Sequence, residues 1–321
     1  MEIINQIQAN LLSPIILSFF LGIVACFIKS DLRIPAQVQE TISIYLLFAI
    51  GLKGGVALAS ADLQTVLMPA LATLALGLIT PVLTFWVVRN LGSLSVINSA
   101  AIAAHYGSVS IITFMASLTY LQSLGIPSEG FMPALVVILE IPAIFVALLM
   151  VRLLKPAHQG NMGHAVREIL SSRSIVLLLG GLIIGYLCSR EQYDKIAPLF
   201  QDLFQGFLAL FLLEMGIVAA SRVKELRTSG LFLVLFGILM PLANGMIGAV
   251  LGYWAGLSEG GIVVFATMAA SASYIAAPAA IRVSLPEANP ALYLTSALVI
   301  TFPFNILFGI PIYYYVASHL T

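Results

Sequence analysis

Apolar residues run along this chain in ten long blocks, at about 12–28, 41–60, 67–89, 98–122, 131–153, 171–189, 200–221, 229–256, 260–283 and 290–317. A helix needs roughly 20 apolar residues to cross a bilayer core, so the pattern predicts ten membrane-spanning helices. The long polar stretch from Lys155 to Arg173, with His158, Gly160, Asn161, Gly163 and His164, separates five blocks from five. It predicts a first five-helix unit over 1–154, a surface linker over 155–170 and a second unit over 171–321. The first block follows an acidic start and has no small-residue cleavage pattern, so it reads as a retained helix and not as a signal peptide.

Two blocks are interrupted by small and hydroxylated residues. One carries Ala103-Ala104-His105-Tyr106-Gly107-Ser108-Val109-Ser110-Ile111-Ile112-Thr113, the other Thr267-Met268-Ala269-Ala270-Ser271-Ala272-Ser273-Tyr274-Ile275-Ala276-Ala277-Pro278. Each is the fourth block of its half. Broken helices at matching positions of two halves point to the binding site of a secondary transporter. Their ends leave backbone N–H and C=O groups that can hold ions in place of water.

The halves also align. Leu52-Lys53-Gly54-Gly55-Val56-Ala57-Leu58-Ala59-Ser60 matches Leu213-Glu214-Met215-Gly216-Ile217-Val218-Ala219-Ala220-Ser221 at an offset of 161. Gly125-Ile126-Pro127-Ser128-Glu129 matches Ser284-Leu285-Pro286-Glu287-Ala288 at 159, and Leu139-Glu140-Ile141-Pro142 matches Ile300-Thr301-Phe302-Pro303 at 161. Five spans is an odd number, so two copies of the unit lie in opposite orientations. The expected fold is therefore an all-α multi-pass membrane protein, two inverted five-helix repeats with crossed broken helices. The alignment sets Lys53 and Glu214 at equivalent intramembrane positions. They read as a charge pair across the symmetry axis, or with Glu214 on an ion pathway, or as separate structural groups at a snorkelling or interface position.

Composition agrees with the pattern. Hydrophobic residues make up 60% and charged residues 9% of the chain, against roughly 25% charged in soluble domains. Net charge is zero, which argues against nucleic acid as a partner. Cys26 and Cys188 lie in apolar blocks and form no metal or redox motif, which makes them packing residues. Eleven of the fourteen basic residues, Lys29, Arg33, Arg89, Arg152, Lys155, Arg167, Arg173, Arg222, Lys224, Arg227 and Arg282, follow odd-numbered spans. The positive-inside rule then sets the linker in the cytoplasm and both termini outside.

Gly107-Ser108-Val109-Ser110 with Thr113, Leu118-Thr119 and Ile126-Pro127 resembles the first crossover helix of the cyanobacterial sodium-dependent bicarbonate transporters. Ala270-Ser271-Ala272-Ser273 with Pro278, Arg282, Pro286 and Ala288-Asn289-Pro290 is similar to that family's second crossover, and Ser221-Arg222 with Glu225-Leu226-Arg227 to its span-seven exit. The resemblance covers essentially the whole chain. It implies a fold like that of bile-acid and sodium/proton transporters, symport of sodium and bicarbonate across the plasma (bacterial inner) membrane, a homotrimer, and a PII-like regulatory protein on the cytoplasmic face. Two features depart from the family: Tyr274 stands where it has an aspartate, and the central linker is short.

The candidate substrate site is thus Gly107, Ser108, Ser110, Thr113, Ser271, Ser273 and Tyr274, whose hydroxyls suit both an anion and a cation's field. Glu140, Thr301 and Asn305 are the candidate ion-binding residues, with Na+ as coupling ion and no other metal or cofactor. His105 reads as a packed polar residue. An intramembrane serine hydrolase is disfavoured, since His105 and Ser108 lie three apart on one helix with no oxyanion motif; no enzyme activity is expected. A proton-coupled carrier of another small organic anion, or a receptor or channel of the same fold, are the alternatives to sodium–bicarbonate symport.

Overall fold

The computed structural model describes residues 2–155 and 170–321 together with positions 163 and 167, so the interior of the expected linker, Asn161 included, lies outside the described residues. Every regular element among the described residues is helical. In chain order they are α1 (Glu2–Leu11), α2 (Pro14–Phe27), α3 (Ala36–Ala59), α4 (Leu63–Asn90), α5 (Val96–Gly107), α6 (Ile111–Ser123) and α7 (Met132–Leu154). The second half holds α8 (Arg173–Leu187), α9 (Arg190–Asp194), α10 (Phe204–Ser221), α11 (Val223–Trp254), α12 (Glu259–Ala270) and α13 (Ala276–Ser284). It ends in α14 (Pro290–Leu320), a run of mixed α and π turns.

Seven helical stretches are long and apolar enough to cross a bilayer: Ala36–Ala59, Leu63–Asn90, Val96–Ser123, Met132–Leu154, Pro198–Glu225, Gly230–Trp254 and Pro290–Leu320. Three shorter apolar helices, Pro14–Phe27, Arg173–Leu187 and Glu259–Ala270, accompany them. Their outer surface suits lipid. On α4, Leu67, Leu71, Leu74, Leu78, Val82 and Trp86 recur every three or four residues and are all exposed, a stripe that water would not tolerate.

Helices start where an oxygen-bearing side chain can take a first-turn N–H. Asp62, Ser95, Ser110, Ser172, Ser258 and Asn289 do this for α4, α5, α6, α8, α12 and α14. Among these the Ser110 cap is buried, so low dielectric makes it matter more than the same cap on a soluble helix, because no water can replace it. Within α11, Gly230 takes φ 76°, ψ 160° and breaks the helix near its start, a conformation that a Cβ would resist.

Four helices form one group through close glycine crossings. Gly22 of α2 presses on the backbone of Leu213 and Ile217 in α10, and Gly216 returns the contact to Phe19 and Ile23. Gly51 and Gly55 of α3 meet Gly181 and Gly185 of α8 in the same manner. Both of the latter pairs have the Gly-x-x-x-Gly spacing that lets two backbones touch and gain dispersion contacts without a hydrophobic driving force. The remaining helices pack around the two broken ones: α4 and α7 on α5, α11 and α14 on α12. Two latches close this second group. The Glu129 carboxylate, in the loop after α6, accepts the Ser258 N–H at 2.6 Å at the start of α12. Asn289, in the loop after α13, donates its N–H to Asn98 Oδ1 at 2.9 Å at the start of α5.

The π turns of α14, Thr295–Thr301 and Asn305–Gly309, are not legible in its hydrophobic pattern. Pro303 and Pro311 lie within α14 and remove two helix donors. Asn10 of α1 supplies a replacement, donating to the carbonyls of Ile306 at 2.7 Å and Leu307 at 3.3 Å.

The crossings give a direct test. A Cβ on Gly185 would meet the backbone of Leu52, whereas Gly180 has nothing within 4 Å. Gly185→Leu is expected to destabilise the fold by at least about 1–3 kcal/mol, the range of overpacking. Gly180→Leu should be neutral. Melting midpoint and monodisperse yield in detergent compare the two; equal behaviour would refute the close crossing.

Candidate functional site

The helix breaks fall where the serine-rich interruptions lie. Ser108 to Ser110 are extended between α5 and α6, and Ser271 to Ile275 are irregular between α12 and α13. The breaks bond to each other. Ser110 donates its N–H to Ser271 Oγ at 2.8 Å, and Ser273 donates its N–H to the His105 carbonyl at 2.8 Å. The two broken helices therefore cross here, with each break supplying what the other lacks.

Hydroxyl use divides the candidate residues. Ser271 has its one donor committed to the Met268 carbonyl at 2.9 Å while accepting from Ser110. Thr113 donates both its N–H and its hydroxyl to Ser110 Oγ, at 3.3 and 2.9 Å. Ser110 accepts twice and donates to no protein acceptor. Ser273 accepts the Ala277 N–H at 3.3 Å and likewise donates to none. The Ser108 hydroxyl is buried with no partner. Three serine O–H donors at the crossing are thus left without an acceptor, which is what a bound anion requires. Gly107, buried between Pro81 and Ala143, lets α5 lie against α4 and α7 at this point.

Glu140 of α7 borders the same place. It lines a narrow crevice with Val109, Ser110, Ile111, Ser273, Tyr274 and Ile275. Its side chain is 0% exposed, and neither carboxylate oxygen has a hydrogen-bond partner. A bare carboxylate in such surroundings is costly without a cation or a proton. Tyr274 turns toward Ser110 without reaching good hydrogen-bond geometry, and its ring packs edge-on against Phe302.

Thr301 and Asn305 are buried, but their polar atoms are engaged by protein. Thr301 donates to the Gly237 carbonyl at 2.7 Å and meets the Tyr106 hydroxyl at 2.7 Å. Asn305 donates to the Ala270 carbonyl at 2.9 Å, and its Oδ1 accepts from Tyr313 at 3.0 Å. Asn305 therefore caps the end of α12 from the side. His105 is fully buried, with Nδ1 2.6 Å from the Ala101 carbonyl and its ring stacked 4.4 Å from Tyr293.

Lys53 and Glu214 form no ion pair with each other. Lys53 is exposed and lines a cavity of about 450 Å³ with Gln122, Pro127, Glu129 and Pro133. Glu214 is buried on α10, its Oε2 unpartnered. Residues equivalent under an inverted repeat meet only if they lie on its axis, and these two face different surroundings.

Two further cavities lie where the glycine-crossed group faces the group holding the broken helices. One, of about 640 Å³, is lined by Asn10, Ser13, Tyr120, Gln122, Gln205 and Ile306. The other, of about 380 Å³, is lined by Gln39, Glu40, Arg173, Phe211, Met215, Tyr274 and Ile275. Arg173 and Glu40 form an ion pair at its mouth. Tyr274 and Ile275 belong to both the second cavity and the crevice beside Glu140, so that cavity ends at the crossing.

Asn305→Leu removes the donor to Ala270 and strands the Tyr313 hydroxyl, each worth about 1–3 kcal/mol when left buried and unpaired. A lower melting midpoint than for Tyr313→Phe, which loses one of these bonds, is expected in thermal unfolding.

No individually curated protein matches the chain. The model of the Na+-dependent bicarbonate transporter superfamily matches it over residues 14–318, from the first turn of α2 almost to the end of α14 and through both serine breaks. That match takes in nearly every described helix and both halves of the crossing, and the chain belongs to this superfamily.

Proposed function

We propose that this protein is a secondary transporter that carries bicarbonate or a similar small anion together with sodium across the plasma membrane. The observation that carries the reading is the crossing itself: three serine hydroxyls without an acceptor, and beside them a fully buried carboxylate without a partner. An anion satisfies the first set and a cation the second, and the cation neutralises the Glu140 charge that would otherwise repel the anion, so binding of the anion depends on the cation. That is the electrostatic basis of symport. Ser108, Ser110 and Ser273 orient the anion, with Ser271 and Thr113 holding the breaks in shape. Glu140 attracts the cation. Tyr274, in place of an acidic residue, leaves the site with one carboxylate.

In this reading the seven long and three shorter apolar helices make ten spans, arranged as two inverted repeats. Several pairings support the repeat. The α2–α10 crossing through Gly22 and Gly216 has the build of the α8–α3 crossing through Gly185 and Gly55. Gly77 and Pro81 of α4 recur as Gly237 and Pro241 of α11 at an offset of 160. The Glu129 and Asn289 latches each join the loop after one broken helix to the start of the other. The two cavities at the seam between helix groups then serve as alternate vestibules, reached in turn as the groups move.

Uptake of labelled anions into proteoliposomes, with sodium or choline outside, tests the assignment. Bicarbonate accumulation that requires sodium is expected, and uptake indifferent to sodium but driven by a proton gradient would replace it with a proton-coupled carrier. Ser108→Leu should lower uptake at least tenfold with normal folded yield, because it fills the crossing and removes a donor. Wild-type transport by that variant would move the site elsewhere.

Orientation has its own measurement. With both termini outside and the linker in the cytoplasm, Asn161→Cys in intact cells is expected to resist an impermeant thiol reagent and to react after permeabilisation. Labelling in intact cells would invert the topology.

A further inference from the structure

Pro81 and Pro241 lie inside α4 and α11 and lack an N–H, so the carbonyls four residues earlier, of Gly77 and Gly237, lose their helical donors. Such a carbonyl within a membrane needs another partner. In the second half it has one, since the Thr301 hydroxyl donates to Gly237 O at 2.7 Å. No side chain among the described residues donates to Gly77 O, and the residue at the position matching Thr301 is Glu140, at the offset of 161 that aligns the flanking residues. The packing obeys the same correspondence. Ile300, before Thr301, lies on Gly237, while Leu139, before Glu140, and Pro142 lie on Gly77.

On that correspondence, Glu140 would take the place against Gly77 that Thr301 takes against Gly237, an acceptor against an acceptor. A carboxylate cannot donate, and neither can a carbonyl. Both Glu140 oxygens are buried and unpartnered. Nearby, Ser110 Oγ already accepts two hydrogen bonds, whereas Ser273 Oγ accepts one and keeps a lone pair.

We propose that the Glu140 carboxylate, the Gly77 carbonyl and Ser273 Oγ are ligands of one sodium ion, and that the matching place in the second half holds none because the Thr301 hydroxyl fills it. All three are hard oxygen donors, the type that hard cations take. The proline is then part of the site: it withholds the N–H that would otherwise occupy Gly77 O. The inference rests on the reading of Glu140 as the cation-binding carboxylate and adds to it the partner ligand and the single occupancy.

Thermal unfolding of the purified protein, in sodium chloride against choline chloride at equal ionic strength, reads binding without transport. The wild type is expected to melt higher in sodium, and Glu140→Gln to lose that shift. Pro81→Ala restores an N–H to compete for Gly77 O, and should raise the sodium concentration for half-maximal shift at least tenfold. Glu140→Thr and Glu140→Val are nearly isosteric and test the carbonyl independently of any change in helix shape. Neither should respond to sodium, and the threonine variant should melt higher than the valine variant, because its hydroxyl can pair with Gly77 O as Thr301 pairs with Gly237 O. If Glu140→Gln abolishes the shift but Pro81→Ala keeps the wild-type half-point, or Thr melts no higher than Val, Gly77 is not a ligand and the reading of Glu140 stands alone. If Glu140→Gln keeps the shift, the reading of Glu140 itself is wrong. A wild-type melting point that follows pH and ignores sodium would put a proton on Glu140 and overturn the sodium site.

Discussion

A bilayer offers no water to an unpaired backbone group, and the architecture of this chain is organised around that deficit. Two helices are broken where a continuous one would have paired every N–H and C=O. The breaks survive because they satisfy each other: Ser110 N–H bonds to Ser271, and Ser273 N–H to the His105 carbonyl. Asn305 supplies a donor for Ala270 at the end of α12. At the crossing these bonds leave the Ser108, Ser110 and Ser273 hydroxyls without an acceptor, and the Glu140 carboxylate, His105 Nε2 and the Tyr274 hydroxyl without a partner. In a membrane such a remainder is expensive, so its survival at the crossing is itself the argument for a ligand there.

The same economy runs through the prolines. Pro241, Pro311 and Pro81 each free a carbonyl, and the first two are answered by Thr301 and Asn10. Polar residues in the interior are therefore of two kinds. Thr301, Asn305 and Asn10 repair the backbone and have little capacity left, while Glu140 and Ser108 have all of theirs. The sequence does not separate the two kinds by type or burial, since all lie in apolar surroundings. They differ in whether the side chain has found a partner: Thr301, Asn305 and Asn10 donate to backbone carbonyls, whereas the Glu140 oxygens and the Ser108 hydroxyl have none.

This explains how far the residues alone could be read. Seven of the ten expected spans were legible because blocks of apolar residues this long have few other uses, the other three holding shorter apolar helices, and the breaks were legible because Ser, Gly and Ala interrupt two blocks at matching places. Thr301 and Asn305 were expected at an ion because polar residues in a membrane are functional by default. Their actual partners, Gly237 and Ala270, are remote in sequence, and only the Gly77–Pro81 and Gly237–Pro241 spacing hinted at a carbonyl in need. Lys53 and Glu214 were paired on equivalence, but equivalence under an inverted repeat relates positions without bringing them into contact. The Gly51–Gly55 and Gly181–Gly185 spacings were not read as close-packing signals, and which helix each meets depends on the tertiary arrangement.

The glycine crossings bear on how a crossing so tightly bonded could serve transport. Backbone-to-backbone contact at Gly22, Gly51, Gly55 and Gly185 leaves no side chains to repack, so α2, α3, α8 and α10 resist sliding on one another. The Glu129 and Asn289 latches bind the broken helices to each other's loops and stiffen the second group in the same way. The seam between the groups is different in kind, for it holds the cavities of about 640 and 380 Å³ and a surface of ordinary side chains. Any large motion of the molecule is therefore cheapest at that seam. In the proposed transport cycle, a motion there would carry the crossing as a unit, preserving the bonds among Ser110, Ser271, Ser273 and His105 while altering the cavity that now reaches Tyr274. In that proposed cycle, the rigid repair of the broken helices and the mobility that alternating access would need are complementary: the more completely the backbone at the crossing is bonded, the less it needs to change as the groups move around it.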